Sequence, residues 1–405
     1  MKNKSMKIIN KNFSFLSFSS FFDKVAIQFS IFLFPLIAIY LYEANLMKTS
    51  LITFVTFIPN LLFSNHIGIF VDRHNKKKIL LISNIISTIL IFVLILSIFL
   101  KIRSFILFYF IIFLSNTIRV FYTLTYISYI PVLVEKENFR KANIVLEVIN
   151  SFVQVIFPSL LGILINYVSL PMLTLGYGFS HILSMLGQLF INKEEEIKNK
   201  NEGNKKSYIK EILESYRFVF SHLLLKPIII CYIILVVSIG IFTSIQTFFI
   251  LKTLKLDKSS LGLIIGLGNI GFFIGSFIAS FLSKKVKIVK SILLSISFYF
   301  LGYISFYFFK SVYFLILGQV LISAALPVYN INIVTLRQNV TPTEKLASVS
   351  SIFRVCGRGL VPIGALIGGV LGTVISLKYT ILIAAFIVIL SAIPIVFSKN
   401  LMEGK

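Results

Sequence analysis

Six ionisable side chains fall inside long apolar stretches of this 405-residue sequence: Asp23, Lys24, Arg119, Glu147, Arg354 and Arg358. A charge held in hydrocarbon is costly unless it is paired, hydrated or neutralised, so such residues mark ion or substrate paths. An acid in that setting can alternate between a protonated and a charged form as its access to water changes, which suits proton-coupled movement. Asp23 and Glu147 are therefore the proton-coupling candidates. Arg354 and Arg358 suit an anionic ligand, because guanidinium groups bind carboxylates and phosphates. Catalysis finds no support. There is no nucleophile–base pair, no metal-ligand spacing among the four His and two Cys, and no phosphate-cradling Gly loop. The chain thus reads as neither an enzyme nor an ATP-driven pump, with no cofactor and no metal.

Polar neighbours extend these positions into stripes. Asn143, Glu147, Asn150 and Gln154 step by three or four residues and share one helix face. So do Asn116, Arg119, Thr123 and Tyr126, then Gln319, Ser323, Pro327 and Asn330, and finally Ser351, Arg354 and Arg358. Polar stripes on apolar helices face a bundle interior or a water-filled cavity. With Gln28 and Gln246 they form the set of substrate-cavity candidates. The alternative is interhelical hydrogen bonding that holds a bundle together. Lys24 either neutralises Asp23 or snorkels toward the interface, and Arg119 serves equally in a structural ion pair. The 42 Phe residues are lipid-facing or core.

The elements that position these residues are membrane-spanning helices. Of all residues 57% are hydrophobic and 13% charged, a membrane composition. Twelve apolar runs are each long enough to span a bilayer: 15–42, 47–71, 79–100, 104–133, 142–168 and 171–192, then 227–251, 260–283, 289–309, 312–336, 346–374 and 379–397. The net charge of +24 comes from Lys and Arg in short loops, so a nucleic-acid partner is rejected. Those residues concentrate in alternate loops, which places both termini and the central linker in the cytoplasm. Residues 193–226 form a charged linker, within which Tyr208 to Phe220 reads as an amphipathic helix lying on the membrane surface. The expected fold is all-α, with twelve transmembrane helices in two pseudo-symmetric six-helix bundles, 1–192 and 227–405. The halves repeat: Ala279-x-x-x-Ser283-Lys284-x-x-Lys287 matches Gly68-x-x-x-Asp72-Arg73-x-x-Lys76, as expected of a transporter with a midplane site.

That second stretch, Gly68-x-x-x-Asp72-Arg73-x-x-Lys76-Lys77, stands between the second and third runs and resembles the signature loop of the major facilitator superfamily. Gly68 is expected to allow close helix approach, and Asn75, in place of a second Gly, to tolerate a left-handed turn. Asn12-Phe13, Pro131-x-Leu133-Val134, Lys141-Ala142-Asn143, Leu336-Arg337-Gln338 and Pro362-x-Gly364 resemble the branch holding macrolide-efflux proteins and the enterobactin exporter. The antiporter signature of the fifth helix is represented only by Pro158 and Gly162.

The resemblance implies a conformational-switch loop at Gly68, Asp72, Arg73, Lys76 and Lys77, with Asp72 near the start of the eleventh helix, around Ala347 to Ser351. It implies a central cavity lined by the first and fourth helices, and a role for Arg119 in proton transfer. The expected function is proton-coupled export of an amphiphilic small molecule by alternating access, from a bacterial cytoplasmic membrane, by a monomer. Export of an endogenous metabolite such as a siderophore or peptide is the alternative within transport, and a lipid-handling role is the alternative outside it.

Overall fold

The computed structural model describes residues 10–135, 138–193, 214, 216–285, 288–342, 346–398 and 401. The side chains of Asp72, Ser351, Arg354 and Arg358 lie outside that description, as do most of the linker and the first residues of its expected amphipathic helix. Residues 216–221 are helical.

The chain is built from helices. In the first half these are α1 Lys11–Tyr40, α2 Leu46–Arg73, α3 Lys76–Phe99, α4 Phe105–Leu133, α5 Phe139–Leu164 and α6 Leu170–Leu189. In the second half α7 Leu225–Phe248 ends in a π turn, Phe249–Thr253, and is followed by α8 Lys258–Gly268, α9 Ile270–Lys285, α10 Ile288–Phe308 and α11 Val312–Val340. The last four helices are α12 Leu346–Gly359, α13 Val361–Val374, α14 Leu377–Leu390 and α15 Ile393–Val396. Side-chain caps start several of them: Asn10 accepts from Phe13 N, Ser104 from Leu107 N and Asp257 from Ser260 N. Asn10 also donates from Nδ2 to Leu133 O at 2.6 Å, tying the start of α1 to the end of α4.

Among the described residues, eleven helices are long and apolar enough to cross a membrane. The expected sixth span is the one outside this set. Helix α6 has 20 residues, about 30 Å at 1.5 Å per residue, so its length suffices. Its apolarity does not, because it buries Thr174, Ser180, His181, Ser184 and Gln188. The sequence also predicts unbroken eighth, eleventh and twelfth spans, and each is divided. Asn269 separates α8 from α9, Leu360 separates α12 from α13 with Pro362 in the first turn of the new helix, and Ser391–Ala392 separate α14 from α15.

By contact the chain forms two compact units, residues 1–43 with 58–200, and residues 44–57 with 201–405. The first half of α2 groups by contact with the later helices. There Ser50 Oγ donates to Ser244 O at 3.4 Å, and Gly369 lets Ser50 approach closely. In the first unit α1 packs on α5 and α6, and α3 packs on α4 and α6. In the second, α11 packs on α9 and α10, and α7 on α13 and α14. The α7–α13 seam brings backbones together: a Cβ on Gly240 would lie 2.5 Å from Val361 O and 2.9 Å from Gly364 Cα. Small residues at such crossings let membrane helices gain van der Waals contact and interhelical bonding that lipid cannot supply.

Candidate functional site

Four helices of the first unit surround a small polar cavity. Helix α1 contributes Asp23, Ile27 and Ser30, α3 contributes Asn84 and Ser87, α4 contributes Ser115, Asn116, Arg119 and Tyr122, and α6 contributes Tyr177 and His181. Each set steps by three or four residues, apart from the adjacent Ser115 and Asn116, so one face of each helix looks inward. Space for water centres is about 20 Å³, room for one water molecule or slightly more. Asp23 is 5% exposed, and the cations acting on it are Lys24, its neighbour in sequence, and Arg119, on the opposite wall. Lys24 also places Nζ 6.0 Å from the ring centre of Tyr126.

A buried hydrogen-bonded chain leads away from this cavity. His181 Nδ1 lies 3.0 Å from Asn84 Oδ1, Asn84 Nδ2 donates to Ser184 Oγ at 3.1 Å, and Ser184 Oγ meets Ser19 Oγ at 2.9 Å. Ser19 Oγ is in turn 3.2 Å from Tyr122 OH and accepts from Gln188 Nε2 at 2.9 Å. Because Nδ2 of Asn84 is committed to Ser184, its Oδ1 faces His181 as an acceptor. With Asn84 Oδ1 as the acceptor, His181 Nδ1 is the donor of this pair. Sequence reasoning missed His181, Asn84, Ser184, Gln188 and Ser19. The signal was present in His181, Ser184 and Gln188, which follow helical spacing along the sixth run.

Of the sequence candidates, Asp23, Asn116 and Arg119 meet at the cavity. Gln28 is buried on α1, and Thr123 is half-buried on α4. Asn143 and Glu147 are exposed on α5. There Asn150 Nδ2 donates to Glu147 Oε1 at 3.3 Å and Gln154 Nε2 donates to Asn150 Oδ1 at 3.1 Å, so this stripe is linked along its own helix. In the second unit Gln246 Nε2 donates to Gln319 Oε1 at 2.7 Å, both buried, and Asn330 is half-buried on α11. Arg354 and Arg358 lie outside the described side chains.

One expectation for the signature loop requires correction. Among the described residues a Cβ on Gly68 would meet no atom within 4 Å. Asn75 sits at φ −63°, ψ 116° and accepts from Lys78 N. It is the N-cap of α3, an extended position in which its side-chain oxygen satisfies a free helix N–H. Arg73 is exposed and Lys76 half-buried. Lys77 donates from Nζ to Leu189 O at 3.1 Å and to Ile191 O at 2.6 Å, placing a cation on the carbonyl end of α6. Asp72 lies outside the described side chains.

The helical architecture and the paired halves are those of a membrane transport protein. The family model of the Major Facilitator Superfamily matches residues 13–362 and 228–401, and the chain belongs to that family. It is a transporter and not an enzyme. No curated protein matches its sequence. Among solved structures it is similar to the nucleoside transporter NupG, with 14% identity, 96% of this chain and 98% of that one covered, and a TM-score of 0.77. It is also similar to a bacterial homologue of the iron transporter ferroportin in its inward-facing state, with 15% identity, coverage of 97% and 99%, and a TM-score of 0.74. A bacterial homologue of the human lysosomal transporter Spinster has 13% identity, coverage of 100% and 99%, and a TM-score of 0.67. At these identities the likeness shows the fold.

Proposed function

We propose that this transporter exports an amphiphilic small molecule in exchange for protons, by alternating access, from a cytoplasmic membrane in which both termini face the cytoplasm. Asp23 is the coupling group in this reading, and Glu147 is the second candidate. The observation that supports it is the place of Asp23: a carboxyl group 5% exposed, on the wall of a water-sized cavity that also carries Arg119. A carboxylate there is stabilised by the guanidinium, and a protonated carboxyl releases it, so one proton can exchange for one side-chain contact. Glu147 ranks second because it is exposed on α5 and bonded along its own helix. The loop from Gly68 to Lys77 is the proposed conformational switch.

The test is substrate accumulation in membrane vesicles under an imposed pH gradient, with wild type, Asp23→Asn and Glu147→Gln compared. Asp23→Asn is expected to lose gradient-driven accumulation while retaining substrate binding. Normal accumulation by Asp23→Asn together with failure of Glu147→Gln moves the role to Glu147. If both variants accumulate substrate normally, coupling through these acids is wrong.

A further inference from the structure

An apolar recess of the first unit lies away from the Asp23 cavity, where the end of α2 meets α3 and α4. It encloses about 340 Å³, within the size range of small-molecule sites. Phe70 of α2, Ile82 and Ile86 of α3, and Ile118 and Phe121 of α4 form its apolar length, and Lys78 stands at the end nearest the α2–α3 turn. Lys78, Ile82 and Ile86 step by four residues, so they fall in one row along α3. The row is two turns long, about 12 Å from cation to last isoleucine. Ile82 and Phe70 are 54% and 45% exposed, so the recess opens to the outside of the unit.

The two ends thus differ in chemistry. The apolar lining begins beside an exposed lysine in a turn that carries Arg73, Lys76, Lys77 and Lys78. Lys77 is committed to the carbonyls of Leu189 and Ile191, and Lys78 is the cation that lines the recess. In a helix that crosses a membrane, the turn lies at the level of the lipid headgroups and the isoleucine row at the level of the acyl chains. We propose that this recess binds one anionic phospholipid, an acyl chain lying along Ile82, Ile86, Ile118 and Phe121 and the phosphate held at Lys78. Charge complementarity at the lysine end selects the anionic lipid over a zwitterionic one, since a zwitterionic headgroup brings its own cation to the same place.

The absence of tryptophan from the chain makes the test direct. Phe121→Trp places the protein's one indole in the recess, and Ile82→Trp is the second reporter should the first fail to fold. Each is reconstituted in nanodiscs containing brominated phosphatidylglycerol or brominated phosphatidylcholine at equal bromine content, and quenching is measured. Stronger quenching by phosphatidylglycerol is expected, corresponding to about a fivefold preference, the size that one lysine near an anionic surface provides. The preference should disappear on adding Lys78→Gln, and Phe92→Trp, on the exposed face of α3 beyond the recess, should show none. Equal quenching by the two lipids in the recess, or a preference that survives Lys78→Gln, overturns the proposal. Both outcomes are independent of transport activity.

Discussion

Replacing Gly240 with alanine places a methyl group where there is no room for one. The added Cβ would lie 2.5 Å from Val361 O, 2.9 Å from Gly364 Cα and 3.2 Å from Ala365 N. All three are backbone atoms, so no side chain can rotate away. An ordinary carbon–oxygen contact is roughly 3.3–3.6 Å, and α7 and α13 must therefore part by about 1 Å. A gap of that size forfeits roughly a quarter to a half of the dispersion attraction along the seam, and overpacking of this kind costs about 1–3 kcal/mol. Alanine's better helix propensity, about 0.8–1 kcal/mol, offsets part of the loss. The matched control is Gly68→Ala, where a Cβ meets nothing within 4 Å and the propensity gain stands alone. Thermal unfolding of the detergent-solubilised protein should rank Gly68→Ala at or above wild type and Gly240→Ala clearly below it. A Gly240→Ala protein as stable as wild type would refute the argument that the two backbones touch.

Two further substitutions probe the first unit. Ser184→Ala removes the acceptor of Asn84 Nδ2 and a partner of Ser19, leaving a buried amide N–H unpaired at a cost of about 1–3 kcal/mol. A lowered unfolding temperature is the expected readout, and no change would show that the chain from His181 to Ser19 carries no stability. Lys77→Gln removes the charge from the carbonyl end of α6 and should cost about 1 kcal/mol. Lys77→Arg, which keeps the charge, should recover part of that loss in the same melt.

How much was legible in the sequence follows from what each signal measures. Apolar runs of twenty residues report a membrane solvent, and they located the helices because hydrogen-bonding demands leave the chain few other ways to cross it. The signal is weakest at α6, whose buried Ser184, His181 and Gln188 lower its apolarity while bonding to Ser19 and Asn84 on other helices. Partners distant in sequence cannot be read from one run. Asp23, Asn116 and Arg119 stood out because each breaks an apolar pattern, and the structure brings them to one cavity. Asn84 is a neutral residue in an apolar run and carries no charge to mark it. The assignment at Asn75 came from the pattern of a loop, and pattern does not report backbone angle: Asn75 caps a helix where a left-handed turn was expected. The division at Leu360 had a local sign in Pro362, whereas the one at Asn269 depends on a short Gly-rich stretch that is compatible with an unbroken helix.

The polarity of α6 also sets an order on the protein's birth. Membrane helices leave the translocon into lipid according to their own apolarity, and α6 is the helix of the first unit least able to do so unaided. Ser19 and Asn84, on helices made earlier, are the groups that take up Ser184, His181 and Gln188. Asn84 on α3 precedes its α6 partners by 97 and 100 residues, about 5–20 s at the usual rate of elongation, and Ser19 on α1 precedes its own by 165 and 169. Until α6 arrives Ser19 has Tyr122 of α4 as a partner, whereas Asn84 lacks the bonds it makes to His181 and Ser184. The bonds that shape the cavity wall are thus also the ones that close the first unit during its assembly.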